Sequence, residues 1–230
     1  MIKARRKPLG EILSSIGDYE RVLVAGCGGC ASVCLAGGLA ETDELAAELA
    51  EEARGGARRL RSTVIERQCN PLFLEEIARE ASRSDCILSL ACGAGVQHLA
   101  DRFPALPVFP ALDTLFVGVD IEVGLYEERC RHCGTCMLAY TGGICPVTRC
   151  AKSLFNGPCG GTRADGGCEV GEGRPCAWVE IHDRLKTQGR LANIIALRPP
   201  SEWIDKGPAS LVQRGFEERS APKAGEAGPR

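Results

Sequence analysis

The chain is poor in aromatic residues and nearly neutral, and each shortage excludes a class of function. Phenylalanine, tryptophan and tyrosine together make up 5% of the 230 residues, too few for a surface on which nucleic-acid bases stack. The formal net charge is −2, so the chain offers no basic footprint to nucleic acid or to anionic lipid. We therefore expect neither nucleic acid nor a membrane among its partners.

Long apolar runs are also missing. The N-terminal residues contain no apolar stretch of the ~7–15 residues that a signal peptide needs, and no window approaches the ~18 apolar residues of a membrane span. The basic residues Lys3, Arg5, Arg6 and Lys7 are expected to form a solvated end rather than an address signal. These features predict a cytoplasmic protein, in which thiols stay reduced.

Cysteine, by contrast, is abundant. The chain has 14 cysteines, and the segment from Cys130 to Cys176 opens with Cys130-x2-Cys133-x2-Cys136. Thiolates favour iron–sulfur clusters, zinc or cuprous copper. A disulfide framework is the alternative, but it is typical of small secreted domains, whereas this chain is long enough for a sizeable core. The segment therefore predicts two four-ligand metal sites, with the candidate ligands Cys130, Cys133, Cys136, Cys145, Cys150, Cys159, Cys168 and Cys176.

The first half of the chain alternates between predicted strands and helices, which indicates an α/β domain with a parallel sheet. Short apolar runs predict strands at 21–26, 62–66 and 86–91, and 107–110 and 114–118 are candidate edge strands. Thr42 is expected to cap a helix, and Pro71 to open another. We predict an α/β domain over 1–125, a loop-rich, metal-stabilised cysteine-rich domain with a terminal helix over 126–200, and a flexible tail over 201–230.

A third metal site is predicted in the α/β domain. Cysteines follow the three main strands, and ligands of parallel sheets gather outside the carboxyl ends of the strands. The candidate ligands for its four positions are Cys27, Cys30, Cys34, Cys69 and Cys92. Cys86 begins a strand and is expected to be a buried core thiol. The alternatives are that all these thiols only pack, or that the glycine-rich loop 26–38 cradles a phosphate, although it lacks both common phosphate-loop patterns.

The spacing from Cys130 to Cys136 is that of a ferredoxin-type cluster segment, and Cys145-Pro146 is similar to the pair that ends one. The gap between Cys136 and Cys145 is longer than in bacterial ferredoxins. Structural zinc is the alternative, but zinc ribbons usually pair two Cys-x2-Cys knuckles. His132 is a further possible ligand, though we expect it to lie beside the site. No general acid–base pair is evident, so the chain is expected to be a subunit rather than a self-sufficient enzyme.

Several motifs, in order, resemble one family. They lie at 6–9 with 11–13, 24–30 with Cys34, 66–69, 88–97, 141–146, 156–161, 167–170 and 176–178. Together they resemble the small iron–sulfur (MetV-type) subunit of bacterial methylenetetrahydrofolate reductase, also called the C-terminal family of that enzyme. The resemblance covers about residues 5–200.

The resemblance implies a flavin-containing catalytic subunit as partner, a (β/α)8 barrel that reduces methylenetetrahydrofolate in the one-carbon (acetyl-CoA) pathway. Up to three 4Fe-4S clusters on this chain would pass electrons to that flavin, and a further electron-donor subunit is a possible partner. One alternative is a zinc-binding structural subunit that stabilises the same partner without electron transfer, and zinc is the alternative cofactor at one site. Another is a thiol oxidoreductase that uses Cys27-x2-Cys30.

Overall fold

A computed structural model describes residues 1–53 and 58–196, together with Gln213, Gly215 and Phe216. Its strands are β1 (Ile2–Arg6), β2 (Arg21–Cys27), β3 (Arg59–Ile65), β4 (Cys86–Leu90), β5 (Val108–Pro110), β6 (Leu112–Glu122) and β7 (Leu125–Cys130). Its helices are α1 (Leu9–Ile16), α2 (Cys30–Val33), α3 (Leu39–Glu52), α4 (Pro71–Leu74), α5 (Ala78–Ala81), α6 (Gly93–Arg102), α7 (Pro146–Arg149), α8 (Ala177–Thr187) and α9 (Ala192–Ile195), with a 3-10 turn at Glu75–Ile77. None of these helices has both the length and the apolar sequence that a membrane span requires.

Contacts group Met1–Ile195 into one unit and Ala196–Arg230 into another. The tail predicted over 201–230 lies outside the described residues, apart from the three named above. The boundary predicted at residue 125 stays a prediction.

Four parallel strands form the predicted α/β sheet, in the order β3-β2-β4-β5. The strands predicted at 21–26, 62–66, 86–91 and 107–110 are confirmed as its members. The chain passes from β2 to β3 on one side and returns to β4 on the other side of β2. The strand order therefore reverses between β2 and β4, and ligands of such sheets bind outside the carboxyl ends near that point.

Helices cover both faces of the parallel sheet, because successive strand residues point to opposite sides. Val24 of β2 packs with Leu45 of α3 in one buried cluster, whereas its neighbour Leu23 packs with Leu99 of α6 in another. The predicted core thiol is confirmed, since Cys86 is 0% exposed at the start of β4. Burial raises the pKa of this thiol to about 11.

The predicted edge strand 114–118 does not extend the parallel sheet. It belongs to β6, the middle strand of a separate antiparallel sheet in the order β1-β6-β7. Strands β1 and β7 are not predicted from the sequence. Neither strand has an apolar run, and Ile2 of β1 pairs with Val117, far along the chain. Only the tertiary fold supplies the partner that makes these segments strands.

The expectation of a solvated basic end is wrong for Arg6 and Lys7, whereas Arg5 is exposed as expected. The Arg6 guanidinium forms two hydrogen bonds of 3.0 Å with the Glu48 carboxylate. Lys7 Nζ lies 2.7 Å from Asp113 Oδ1 and 2.6 Å from Glu11 Oε1. These charges have defined partners because the chain at the end of β1 lies against α1, α3 and β6.

The predicted cap of α3 is also wrong. The helix begins at Leu39, and the Gly38 N–H donates to the Glu41 carboxylate at 2.8 Å. Thr42 lies within the helix, 0% exposed, and its hydroxyl donates to the Gly38 carbonyl at 2.6 Å. Glu41 therefore does the capping that the sequence pattern assigns to Thr42.

Between β7 and α8 the chain consists mainly of loops, as the sequence predicts. Between Cys130 and Cys176 the regular structure is limited to α7 and two isolated bridges, Thr162↔Cys168 and Gly167↔Pro175. A small apolar cluster follows, formed by Ile144, Trp178, Ile181 and Leu185. Because so few side chains are buried here, metal stabilisation of this part remains our expectation.

Candidate metal centres

Three of the predicted ligands lie where the parallel strands end. Cys27 is the last residue of β2, Cys69 follows β3, and Cys92 follows β4 and precedes the first turn of α6. Since β3, β2 and β4 are neighbours, these cysteines share the carboxyl edge of the sheet. Cys30 begins α2 in the loop after β2 and is exposed. The edge therefore carries four cysteines near the point where the strand order reverses.

Cys34, the fifth candidate at this edge, is placed differently. It is 0% exposed and belongs to the buried cluster that includes Ala4 and Ala31. Its sulfur accepts the Ala4 N–H at 3.4 Å and lies 3.5 Å from the Ala31 carbonyl oxygen. With five candidates for four positions, Cys34 is the thiol whose sulfur is engaged in the core.

Gln68 holds neighbouring strands together at this edge, and the sequence does not single it out as a functional residue. Its side chain is 0% exposed. The amide donates to the Ala25 carbonyl at 2.9 Å and the Gly26 carbonyl at 3.0 Å, and it accepts the Ser89 hydroxyl at 2.6 Å. One side chain thus ties the ends of β2 and β4 together and fixes the backbone next to Cys69. Apart from its place next to Cys69, nothing in the sequence marks this glutamine.

The Cys130-x2-Cys133-x2-Cys136 segment begins at the end of β7 and is exposed throughout. The Cys130 sulfur accepts the backbone N–H of His132 at 3.4 Å. Cys145 is half-buried and immediately precedes α7. The pKa of Arg131 is raised, first by its hydrogen bond to Glu128 and in smaller part by Cys145. Cys145 is therefore within electrostatic range of Arg131, the residue that follows Cys130.

The last four cysteines line one cavity of about 20 Å³, here called the four-cysteine cavity: Cys150, Cys159, Cys168 and Cys176. The bridge between Gly167 and Pro175 folds the chain so that Cys176 returns towards Cys168. Trp178 forms part of the wall, and its indole N–H donates to the Leu154 carbonyl at 2.9 Å. Loops and the ends of α7 and α8 bring these four thiols together, which no periodic pattern in the sequence predicts.

Two sulfurs of this cavity accept hydrogen bonds. The Gly161 N–H lies 3.4 Å from the Cys159 sulfur, and the Thr162 hydroxyl lies 3.3 Å from the Cys176 sulfur. Gly160 makes the turn between Cys159 and Gly161 with a φ of 80°, a conformation that favours glycine. Burial alone would raise the pKa of Cys176, but hydrogen bonds, first that from Thr162, hold it below its usual value. Such donors stabilise thiolates, the form that binds metal.

As their side chains stand in residues 1–53 and 58–196, no group of three or more histidine, cysteine, aspartate or glutamate residues could hold a metal ion. The donor chemistry nevertheless fits a soft metal, because the four-cysteine cavity offers thiols alone. Binding would require rotation of the thiols towards a common centre. Metal binding by the thiols at the sheet edge, and by those around Cys145, likewise stays a prediction.

One comparison relates this chain to a known family. Residues 109–204 match the family model described as methylene-tetrahydrofolate reductase C terminal. This match confirms a relation to that reductase over less than half of the chain, in the part that holds Cys130–Cys176. No curated protein and no solved structure matches the chain.

Proposed function

We propose that this chain is the iron–sulfur electron-transfer subunit of a methylenetetrahydrofolate reductase complex. One observation carries the proposal: within the segment similar to the reductase family, Cys150, Cys159, Cys168 and Cys176 line a single cavity. The same segment also holds the exposed Cys130–Cys136 loop and Cys145. Eight thiols in one loop-rich segment match the ligand count of two clusters.

The residues around the thiols suit redox centres. A bound cluster supplies one-electron chemistry, and its potential depends on hydrogen bonds to its sulfurs and on solvent exposure. Gly161 and Thr162 direct donors at two sulfurs of the four-cysteine cavity. The Cys130–Cys136 loop is exposed, so a centre held there would lie at the surface, where a partner can approach.

A third centre is proposed at the carboxyl edge of the parallel sheet, held by Cys27, Cys30, Cys69 and Cys92. It lies outside the segment that matches the family model. Its support is therefore the shared edge and the position of Gln68, which holds β2 and β4 in place beside it.

The proposed partner is a flavin-containing catalytic subunit. The family match names methylene-tetrahydrofolate reductase, whose reaction consumes electrons. Under this proposal folate and flavin bind to the partner, and the present chain delivers electrons to the flavin. Anaerobic mixing of the dithionite-reduced, desalted chain with the oxidised partner should bleach the flavin absorbance. An unchanged flavin spectrum with a fully reduced chain would contradict the assignment.

The size of the four-cysteine cavity favours a second candidate, structural zinc at that site. A volume of about 20 Å³ is close to that of one water-sized probe. One zinc ion, with Zn–S distances of about 2.3 Å, needs less rearrangement of the thiols than a four-iron cube. With zinc at every site, the chain would stabilise its catalytic partner without carrying electrons.

Measuring the bound metal distinguishes iron–sulfur clusters from structural zinc. Chain purified without oxygen should contain iron and sulfide, up to about twelve irons if all three centres hold four-iron clusters. Cys159→Ala should lose the metal of one site, whereas Cys86→Ala should lose none, because Cys86 is buried in the core. Zinc lost only in Cys159→Ala would assign zinc to that cavity. A chain with no metal, or with equal metal in both variants, would refute the proposal.

A further inference from the structure

A lysine–glutamate pair stands beside the four-cysteine cavity and is not one of its predicted ligands. Lys152 lines the cavity together with the four cysteines. Its ammonium lies 3.7 Å from the Cys159 sulfur and forms an ion pair with the Glu169 carboxylate. The carboxylate oxygen is itself 3.7 Å from the same sulfur. Cys159 thus faces a paired cation and anion.

Contacts with Gly161 fix Glu169 in place. The Glu169 N–H donates to the Gly161 carbonyl at 3.1 Å, and the Gly161 N–H points at the Cys159 sulfur. A Cβ at Gly161 would lie 2.1 Å from the Glu169 carboxyl carbon. The glycine therefore leaves the space that the carboxylate occupies, and the carboxylate holds the ammonium beside Cys159.

The negative charge of a metal–thiolate centre would be stabilised by the ammonium of this pair. Four thiolates around a divalent ion leave a net charge of about −2, and a nearby cation offsets part of that charge. A hydrogen bond from an ammonium to a thiolate is charge-assisted and stronger than one between neutral groups. Glu169 limits the freedom of the lysine side chain, so less entropy is lost when the bond forms.

We infer that Lys152, held by Glu169, is a positioning residue that stabilises the metal–thiolate centre of the four-cysteine cavity by donating to the Cys159 sulfur. The inference rests on the proposed metal site and holds for a cluster and for zinc, since both leave anionic thiolates. Lys152 itself does not ligate the metal. Its removal should speed metal loss from this cavity and leave the other thiol sets unaffected.

The test measures metal release at each cysteine separately, on the full chain purified without oxygen. Excess iodoacetamide and a chelator for the metal found in the wild type are added, and alkylation is read by mass spectrometry. Because bound thiols are protected, release limits the rate. Lys152→Met should release metal about tenfold faster at Cys159, as expected for one partly exposed charge-assisted hydrogen bond. Lys152→Arg, which keeps the cation, should stay within about twofold of the wild type.

Lys186→Met is the matched control, because Lys186 is an exposed lysine in the last turn of α8. It should release metal at the wild-type rate. Equal rates for Lys152→Met and the wild type, with the wild-type thiols protected, would overturn the role of Lys152 alone. Immediate alkylation of all four thiols in the wild type would instead refute the metal site, and the inference with it.

Discussion

Replacing Gln68 with methionine tests whether its side chain holds β2 and β4 together beside the candidate ligands. Methionine keeps the length of the side chain but removes its amide, so the three hydrogen bonds to Ala25, Gly26 and Ser89 are lost. Each such bond contributes about 1 kcal/mol net. The position is fully buried, and water cannot replace the lost partners without opening the fold. We expect the free energy of unfolding to fall by about 3 kcal/mol.

The assay is urea unfolding followed by far-UV circular dichroism, at matched metal content and without oxygen. Gln97→Met is the control, because Gln97 is exposed on α6 and bonds only the Gly93 carbonyl of its own helix. Its effect should stay within about 0.5 kcal/mol. If Gln68→Met also falls within that range, the amide does not hold β2 and β4 together and the account of this edge is wrong.

Two further predictions concern the parallel sheet. The folded Cys86 thiol has a pKa of about 11 against an ordinary 9.0, so the unfolded chain loses this proton first as pH rises. The free energy of unfolding should therefore fall by about 3 kcal/mol between pH 9 and 11 because of this thiol. Urea unfolding across that range should show that Cys86→Ala lacks this part of the fall. Parallel pH profiles of the wild type and Cys86→Ala would contradict the prediction. Gly37→Ala should destabilise by about 3 kcal/mol, because its Cβ would lie 2.1 Å from the Leu90 carbonyl oxygen. Gly10→Ala, with open space around it, should be neutral or stabilising by about 0.5–1 kcal/mol in the same assay, and equal effects of the two would refute the steric argument.

The parallel sheet is the part of the fold that the sequence predicts best. β2 and β4 are buried on both faces, so their residues form continuous apolar runs that stand out from the surrounding helices. The same logic identifies Cys86 as a core thiol. The antiparallel sheet escapes prediction because β1 is mostly basic and pairs with a strand that is remote in sequence.

Prediction of the candidate site is limited in another way. Metal-ligand spacing in the sequence identifies thiols, but not which of them share a centre. Cys150, Cys159, Cys168 and Cys176 meet through turns and isolated bridges, and such contacts leave no periodic signal. The residues that support the thiols, Gln68 and Lys152 among them, are recognisable only from their contacts.

Whether this chain carries electrons is tested by electron paramagnetic resonance on chain purified without oxygen. Spectra are recorded before and after dithionite, with iron, sulfide and zinc measured on the same sample. We expect iron and sulfide, and the signals of reduced four-iron clusters after dithionite. Stoichiometric zinc, without iron or sulfide and without a signal on reduction, would contradict this expectation and leave a structural subunit.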